Sequence, residues 1–295
     1  MKVIAIANQK GGVGKTIISY SLASYLGGEG KEVVFYKMIT AANGKKVRDF
    51  ALRRTLPNKR VLFIDFDPQK NGGSVFSDEC FTGVYSYDFL TSHCVVSPSE
   101  RGVTVIRADD RLKDSHLLDA NTCINFLFDN FDKCEELFDY VVVDTPATEG
   151  IIVRCALVVT DFLISPIIPV KFSIDGIGNM LKLVFGIQKK YNENLQFIGM
   201  LPSKIIGKAE TANEDDKRKR LQEAALYELL KNPQYAALML LSKERRLVGI
   251  SERQIVEVAV SSGHPVWEEK GADALASTEE FFAVFDAFEH KIGGF

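Results

Sequence analysis

Short apolar runs recur along the chain between stretches of mixed polarity: Val3 to Ala7, Val33 to Tyr36, Val61 to Ile64, Val103 to Ile106, Tyr140 to Val143, Phe162 to Ile164 and Phe197 to Met200. Continuous β-branched and aliphatic runs of this kind predict strands covered on both faces, as in a parallel sheet between layers of helix. After the first run, Ile18, Leu22 and Leu26 recur at every fourth position. That spacing puts them on one face of a helix, which Gly27-Gly28 ends. The C-terminal third reads as mostly helical. Leu221, Ala225, Leu229 and Leu230 are expected on one buried face, followed by Val256 and Val260, a loop from Ser261 to Pro265, and a last helix carrying Phe281, Phe282, Phe285 and Phe288. The expected fold class is α/β, a mostly parallel twisted sheet flanked by helices on both faces. One domain over residues 1–295 is expected, with a helical C-terminal region from about residue 209.

Composition narrows the function classes. A chain of 295 residues that is 46% hydrophobic can bury a large core. Its formal net charge of −3 excludes a surface coated in positive charge, so any nucleic-acid contact must come from a local patch. The stretch from Lys37 to Arg60 is such a patch: Lys37, Lys45, Lys46, Arg48, Arg53, Arg54, Lys59 and Arg60 stand against the single acid Asp49. Cysteines 80, 94, 123, 134 and 155 are odd in number and form no C-x-x-C pair, which suggests neither a disulfide framework nor a zinc site and fits a reducing cytosol. The apolar stretch from Cys155 to Val170 is broken by Asp161, Pro166 and Pro169, and Val3 to Ala7 is too short for a signal peptide. A cytoplasmic protein without a membrane partner is expected.

The first strand runs into Asn8-Gln9-Lys10-Gly11-Gly12-Val13-Gly14-Lys15-Thr16-Ile17 and then the first helix. A glycine-rich turn between a buried strand and a helix lets consecutive backbone N–H groups face phosphate oxygens, and the helix N-terminus favours negative charge. In this P-loop pattern Lys15 would reach the β- and γ-phosphates and the Thr16 hydroxyl would ligate Mg²⁺. Residues Lys10 through Ile17 are therefore the candidate site for ATP.

The loop departs from the ordinary P-loop in having Gln9 at its first position and an added Lys10. The combination K-G-G-x-G-K-T resembles the deviant Walker A signature of the ParA/MinD ATPases, and Asn8-Gln9 resembles the ParA branch. The resemblance implies that Lys10 reaches across a dimer interface to the partner's ATP. It continues at Asp65-Phe66-Asp67-Pro68-Gln69, where it implies that Asp67 positions or activates the attacking water while Asp65 supports the loop. At Tyr140 to Pro146 it implies a Walker B strand whose Asp144 orients the magnesium shell; Ala147 stands where the family usually has a second proline. Ser165 to Val170 and Gly263 to Trp267 are also similar to ParA.

Carried to the whole chain, the resemblance implies ATP and Mg²⁺ as cofactors and an ATP-dependent homodimer that binds DNA nonspecifically. It also implies a ParB-like adaptor that stimulates slow hydrolysis, nucleoid association in the ATP state, and a plasmid, chromosome region or protein organelle as cargo. Lys243, Arg245, Arg246 and Arg253 fall where ParA-like proteins carry their DNA-binding face. The basic segment at about 37–60 is the largest departure. It is either an insertion, or Val33 to Tyr36 adds a strand; its charge either meets phosphate backbones or is a solvated face. Three other classes share the loop. A MinD-like membrane switch is opposed by Glu279, Glu280, Asp286 and Glu289 in the last helix, because anionic lipid attracts lysine and arginine. A reductase of the nitrogenase iron-protein kind would need cluster cysteines, and Cys155 lacks the glycine-rich context for that. A synthetase of the dethiobiotin type is opposed by the pairing of Lys10 with D-x-D-P-Q.

Overall fold

The computed structural model describes residues 1–40, 46–148, 150–170, 173–206 and 214–294; Lys45 of the basic segment and residues 209–213 of the expected helical region lie outside them. Strand β1 (Lys2–Ile6) leads through the glycine loop into α1 (Lys15–Leu26), then a hairpin of β2 (Glu32–Thr40) and β3 (Lys46–Thr55). The chain continues with β4 (Val61–Asp65), β5 (Phe81–Tyr85), α2 (Ser86–Thr91), β6 (Val103–Arg107), α3 (Ala120–Cys134), β7 (Tyr140–Asp144) and α4 (Ile151–Val158). It ends with β8 (Phe162–Ile167), α5 (Ser173–Lys190), β9 (Gln196–Pro202), α6 (Glu214–Lys231), α7 (Pro233–Ala236), α8 (Gln254–Ser261) and α9 (Ala272–Ile292).

Seven strands form one sheet in the order β5-β6-β4-β7-β1-β8-β9, and every pairing within it is parallel. Alternating side chains feed two cores, because successive residues of a strand point to opposite faces. Ile4, Ile6, Phe63 and Val142 pack with α1, α8 and α9 on one side. Val3, Ala5, Leu62, Ile64, Val141 and Val143 pack with α2 to α5 on the other. The helix expected from Ile18, Leu22 and Leu26 is α1, and Gly27 caps it with its N–H on the Ala23 carbonyl. The phenylalanines of α9 are buried, with Phe285 4.8 Å from Tyr25 and Phe282 5.5 Å from Trp267 between ring centroids. All five cysteines are buried as free thiols. Among the described residues no helix is long and apolar enough to cross a membrane.

Two expectations are corrected, and one strand is added that the apolar runs did not mark. Val33 to Tyr36 does not join the parallel sheet: it opens the separate antiparallel ribbon β2–β3, whose pairs run from Glu32↔Thr55 to Thr40↔Lys46. The ribbon that carries the basic segment begins at Glu32. Strand β5 lacks a continuous apolar run because it is an edge strand, half-exposed, and broken by Gly83 at φ +79°. On α6 the buried face is Gln222, Ala225 and Leu229 with Leu226 half-buried beside them, while Leu221 and Leu230 are exposed. Gln222 tolerates burial because its side chain accepts from the Ile206 N–H at 2.9 Å and donates to the Lys204 carbonyl at 3.0 Å.

Candidate nucleotide-binding site

The central strands β4, β7 and β1 lie side by side, with Asp65 in register with Asp144 and Asp144 in register with Ile6. Their carboxyl ends therefore present two carboxylates beside the start of the glycine loop, at the edge where open α/β sheets bind ligands. Gly12 and Gly14 take φ +73° and +84°, and Gly14 caps α1. In that left-handed region a Cβ costs about 1–2 kcal/mol, so glycine is the natural occupant. The loop is tied at both ends. The Asn8 amide donates to the Ser165 hydroxyl at 3.2 Å and the Pro166 carbonyl at 2.8 Å, and its oxygen accepts from the Lys10 N–H at 2.8 Å. The Ser203 hydroxyl donates to the Val13 carbonyl at 2.8 Å. Thr16 and Ile17 open α1, half-buried.

Lys10 is exposed at the rim, whereas Lys15 is buried, its ammonium 3.4 Å from the Lys10 carbonyl. Burial lowers the Lys15 pKa, opposed by the charges of Asp144 and Asp67. Asp144 is wholly enclosed. Its Oδ1 accepts from the Ser19 hydroxyl at 3.1 Å, and Oδ2 has no partner. Burial first, then the neighbouring Asp65, pushes the Asp144 carboxyl up to about 8. Burial likewise raises Asp65 to about 6, although it accepts from the Gly73 N–H at 2.7 Å and the Asp67 N–H at 2.9 Å. Asp65 thus ties down the loop after β4, and Asp67 stands half-buried on that loop with Oδ1 accepting from the Gln69 N–H at 2.9 Å. Gly72 passes so close that a Cβ there would lie 2.8 Å from Asp144 Oδ2.

An enclosed carboxylate oxygen without a donor is costly unless a cation meets it. Asp144 Oδ2 and the Thr16 hydroxyl are the hard oxygen donors that Mg²⁺ takes, directly or through water, and they fit it. Lys15 and the loop N–H groups fit the phosphates that accompany such an ion. The structure brings together Lys15, Thr16, Asp67 and Asp144 beneath the loop Lys10 to Ile17. Sequence reasoning missed Ser19, although its position four residues after Lys15 on the same helix face marked it; it missed Ser203 too, which no local pattern signals. Gln9 also leaves its buried Nε2 without a partner.

Lys243, Arg245 and Arg246 are exposed together on a tight turn between Leu241 and Leu247, closed by the Ser242 N–H on the Arg246 carbonyl at 2.8 Å. Arg253 does not join them. It binds Glu280 through two hydrogen bonds of 2.7 and 2.9 Å, mostly shielded from solvent. That bidentate pair fixes α9 to the segment before α8.

These features define a P-loop nucleotide-binding protein of the doubly wound α/β class. A family model described as an AAA domain matches residues 1–46 and 44–197. The protein IncC of Escherichia coli is 26% identical over 97% of this chain and 68% of its own length. The sporulation initiation inhibitor protein Soj of Bacillus subtilis is 26% identical over 68% of this chain and 71% of its own. A solved structure of a Cyanothece McdA variant in complex with ATP superposes with a TM-score of 0.70 at 17% identity, covering 100% of this chain and 97% of that one. The chain belongs to this AAA-domain family, in its ParA/MinD group of partition ATPases.

Proposed function

We propose that the chain is a ParA-like switch: ATP with Mg²⁺ binds at Lys10 to Ile17, the loaded chain forms a homodimer, and the dimer holds DNA nonspecifically until a ParB-like adaptor stimulates hydrolysis. The observation that carries this reading is the enclosed Asp144 carboxylate, with one oxygen unpartnered, beside Thr16 and buried Lys15. A site that compresses two buried carboxylates and an ammonium under a phosphate loop is relieved by the charges of a nucleotide and its cation.

When bound, Mg²⁺ would neutralise charge on the β- and γ-phosphates. Thr16 and Asp144 would hold its inner or outer oxygens, and Lys15 would follow the charge that gathers on the transferring group. Asp67, on a loop that Asp65 anchors, would orient the attacking water. Lys10, exposed at the rim, would reach the nucleotide of the second chain. Lys243, Arg245 and Arg246 would supply the phosphate-backbone contact, and Arg253 would keep α9 in place. The pairing of Lys10 with D-x-D-P-Q favours this cycle over a synthetase on the same fold, and the ATP state would reside on the nucleoid.

The reading is tested by ATPase turnover with and without nonspecific duplex DNA at low and moderate salt. Stimulation that fades as salt rises supports it, because phosphate contacts weaken steeply with ionic strength. Turnover indifferent to DNA at both salts refutes it.

A further inference from the structure

The basic segment found in the sequence separates, in three dimensions, into two groups with different roles. Its C-terminal cations belong to the body: Arg60 pairs with Asp139 at 2.8 Å, and Arg54 grips Asp286 and the Tyr25 hydroxyl while its guanidinium lies 5.0 Å from the Phe282 ring centroid. Val33 and Phe35 are buried at the ribbon base, so the ribbon is anchored. Beyond the bulge at Phe35/Tyr36, Lys37, Lys46 and Arg48 are exposed.

One face of this distal ribbon combines aromatic rings and cations. Tyr36 lies opposite Phe50, Met38 opposite Arg48 and Thr40 opposite Lys46. The two ring centroids lie 5.2 Å apart with the planes tilted by 33°, and the Arg53 guanidinium lies 5.5 Å from the Phe50 centroid. From Tyr36 to Thr40 and from Lys46 to Phe50 that face carries no acid; Asp49 is on the other face, opposite Lys37 and next to the pair Ile39 and Val47. Tyr36, Met38 and Phe50 are about half exposed, at 54%, 59% and 49%, although folding usually hides such side chains.

We propose that the β2–β3 ribbon is a second contact for duplex DNA, presenting Tyr36, Phe50, Arg48 and Lys46 to a groove and its flanking phosphates. The proposal rests on the DNA-binding reading above and extends it to an element outside the turn at Lys243 to Arg246. The shape fits: five paired residues beyond the bulge reach about 17 Å at about 3.4 Å each, and a two-stranded ribbon enters a major groove about 12 Å wide and about 8.5 Å deep. The placement fits as well. A cavity of about 570 Å³ is lined by Lys243, Glu244, Asp286 and His290, and Asp286 is also the partner of Arg54 at the ribbon's base, so the basic turn and the ribbon's base both border α9. Asp286 and Arg54 neutralise one another there, which leaves Glu244 and Glu289 as the acids that line the cavity beside the cationic turn. A lipid surface fits less well. The rings lie side by side on the ribbon's face, and insertion of the opposite face would desolvate Asp49 beside Ile39 and Val47.

The test measures binding of a nonspecific duplex to the full chain with a nonhydrolysable ATP analogue, by fluorescence anisotropy across a salt series. It compares wild type, Lys46→Glu/Arg48→Glu, and Lys243→Glu/Arg245→Glu/Arg246→Glu, with retained ATP-dependent dimerisation as the control for folding. The ribbon variant is expected to bind roughly tenfold more weakly and to lose about two from the slope of log affinity against log salt, about 0.9 for each phosphate contact. Unchanged affinity and slope in that variant, with wild type and turn variant differing, overturn the ribbon proposal alone. Failure of the wild type to bind the duplex overturns the DNA reading and the ribbon with it. Binding of wild type to phosphatidylserine vesicles that the ribbon variant loses, with duplex affinity unchanged, assigns the ribbon to lipid and overturns the proposal.

Discussion

Replacing Asp144 by asparagine should make the nucleotide-free protein more stable in mild alkali while removing its response to nucleotide. The wild-type carboxyl is held at about 8 by burial and by Asp65, well above its ordinary value of 3.8. A carboxyl with a raised pKa contributes stability that is complete below its unfolded value and is lost as pH climbs through the folded one. Between about pH 6.5 and about pH 8.5 the folded state gives up that proton, and the wild type should lose about 2 kcal/mol on this account. Asparagine has no proton to lose, so that component disappears, while the contribution of His264, raised by its bond to Glu269, is common to both proteins and cancels. The assay is urea denaturation at the two pH values, with and without Mg–ATP. Ligand at about a hundred times its dissociation constant should add about 2.7 kcal/mol to the wild type and little to the variant, which lacks the carboxylate that meets the cation. A variant with the same pH dependence as wild type, or with the full Mg–ATP increment, would refute the assignment of Asp144 as the strained carboxylate of the site.

Two further outcomes follow from the same geometry. Asp67→Ala should bind nucleotide with near wild-type affinity and hydrolyse it at least about a hundredfold more slowly, measured by equilibrium binding beside phosphate release; equal loss of both would make Asp67 a binding residue. Arg253→Ala should cost about 2 kcal/mol in denaturation, because it strands Glu280 in a partly buried pair, and should leave the salt dependence of DNA binding unchanged.

The glycine loop and the strand-end carboxylates were legible in the sequence because their chemistry is local. Gly12 and Gly14 need positive φ where they stand, and Asp65 and Asp144 each end a buried run. What was not legible depended on distant partners. Val33 to Tyr36 reads as a core strand, yet only Val33 and Phe35 reach the core, and the pairing with β3 fixes the rest as a ribbon. The phase of α6 turned on Gln222, whose burial needs backbone partners in the loop at Lys204 and Ile206. Arg253 read as a surface cation because Glu280, which satisfies it, is on another helix.

If this loop works as half of an ATP-bridged pair, the solution mass of wild type and Lys10→Ala with and without a nonhydrolysable ATP analogue, by light scattering after size exclusion, reports it most directly. Wild type is expected to pass from monomer to dimer when the analogue is added, and Lys10→Ala to bind the analogue yet remain monomeric. A Lys10→Ala chain that dimerises as readily as wild type, or a wild type whose mass ignores the nucleotide, would contradict the account.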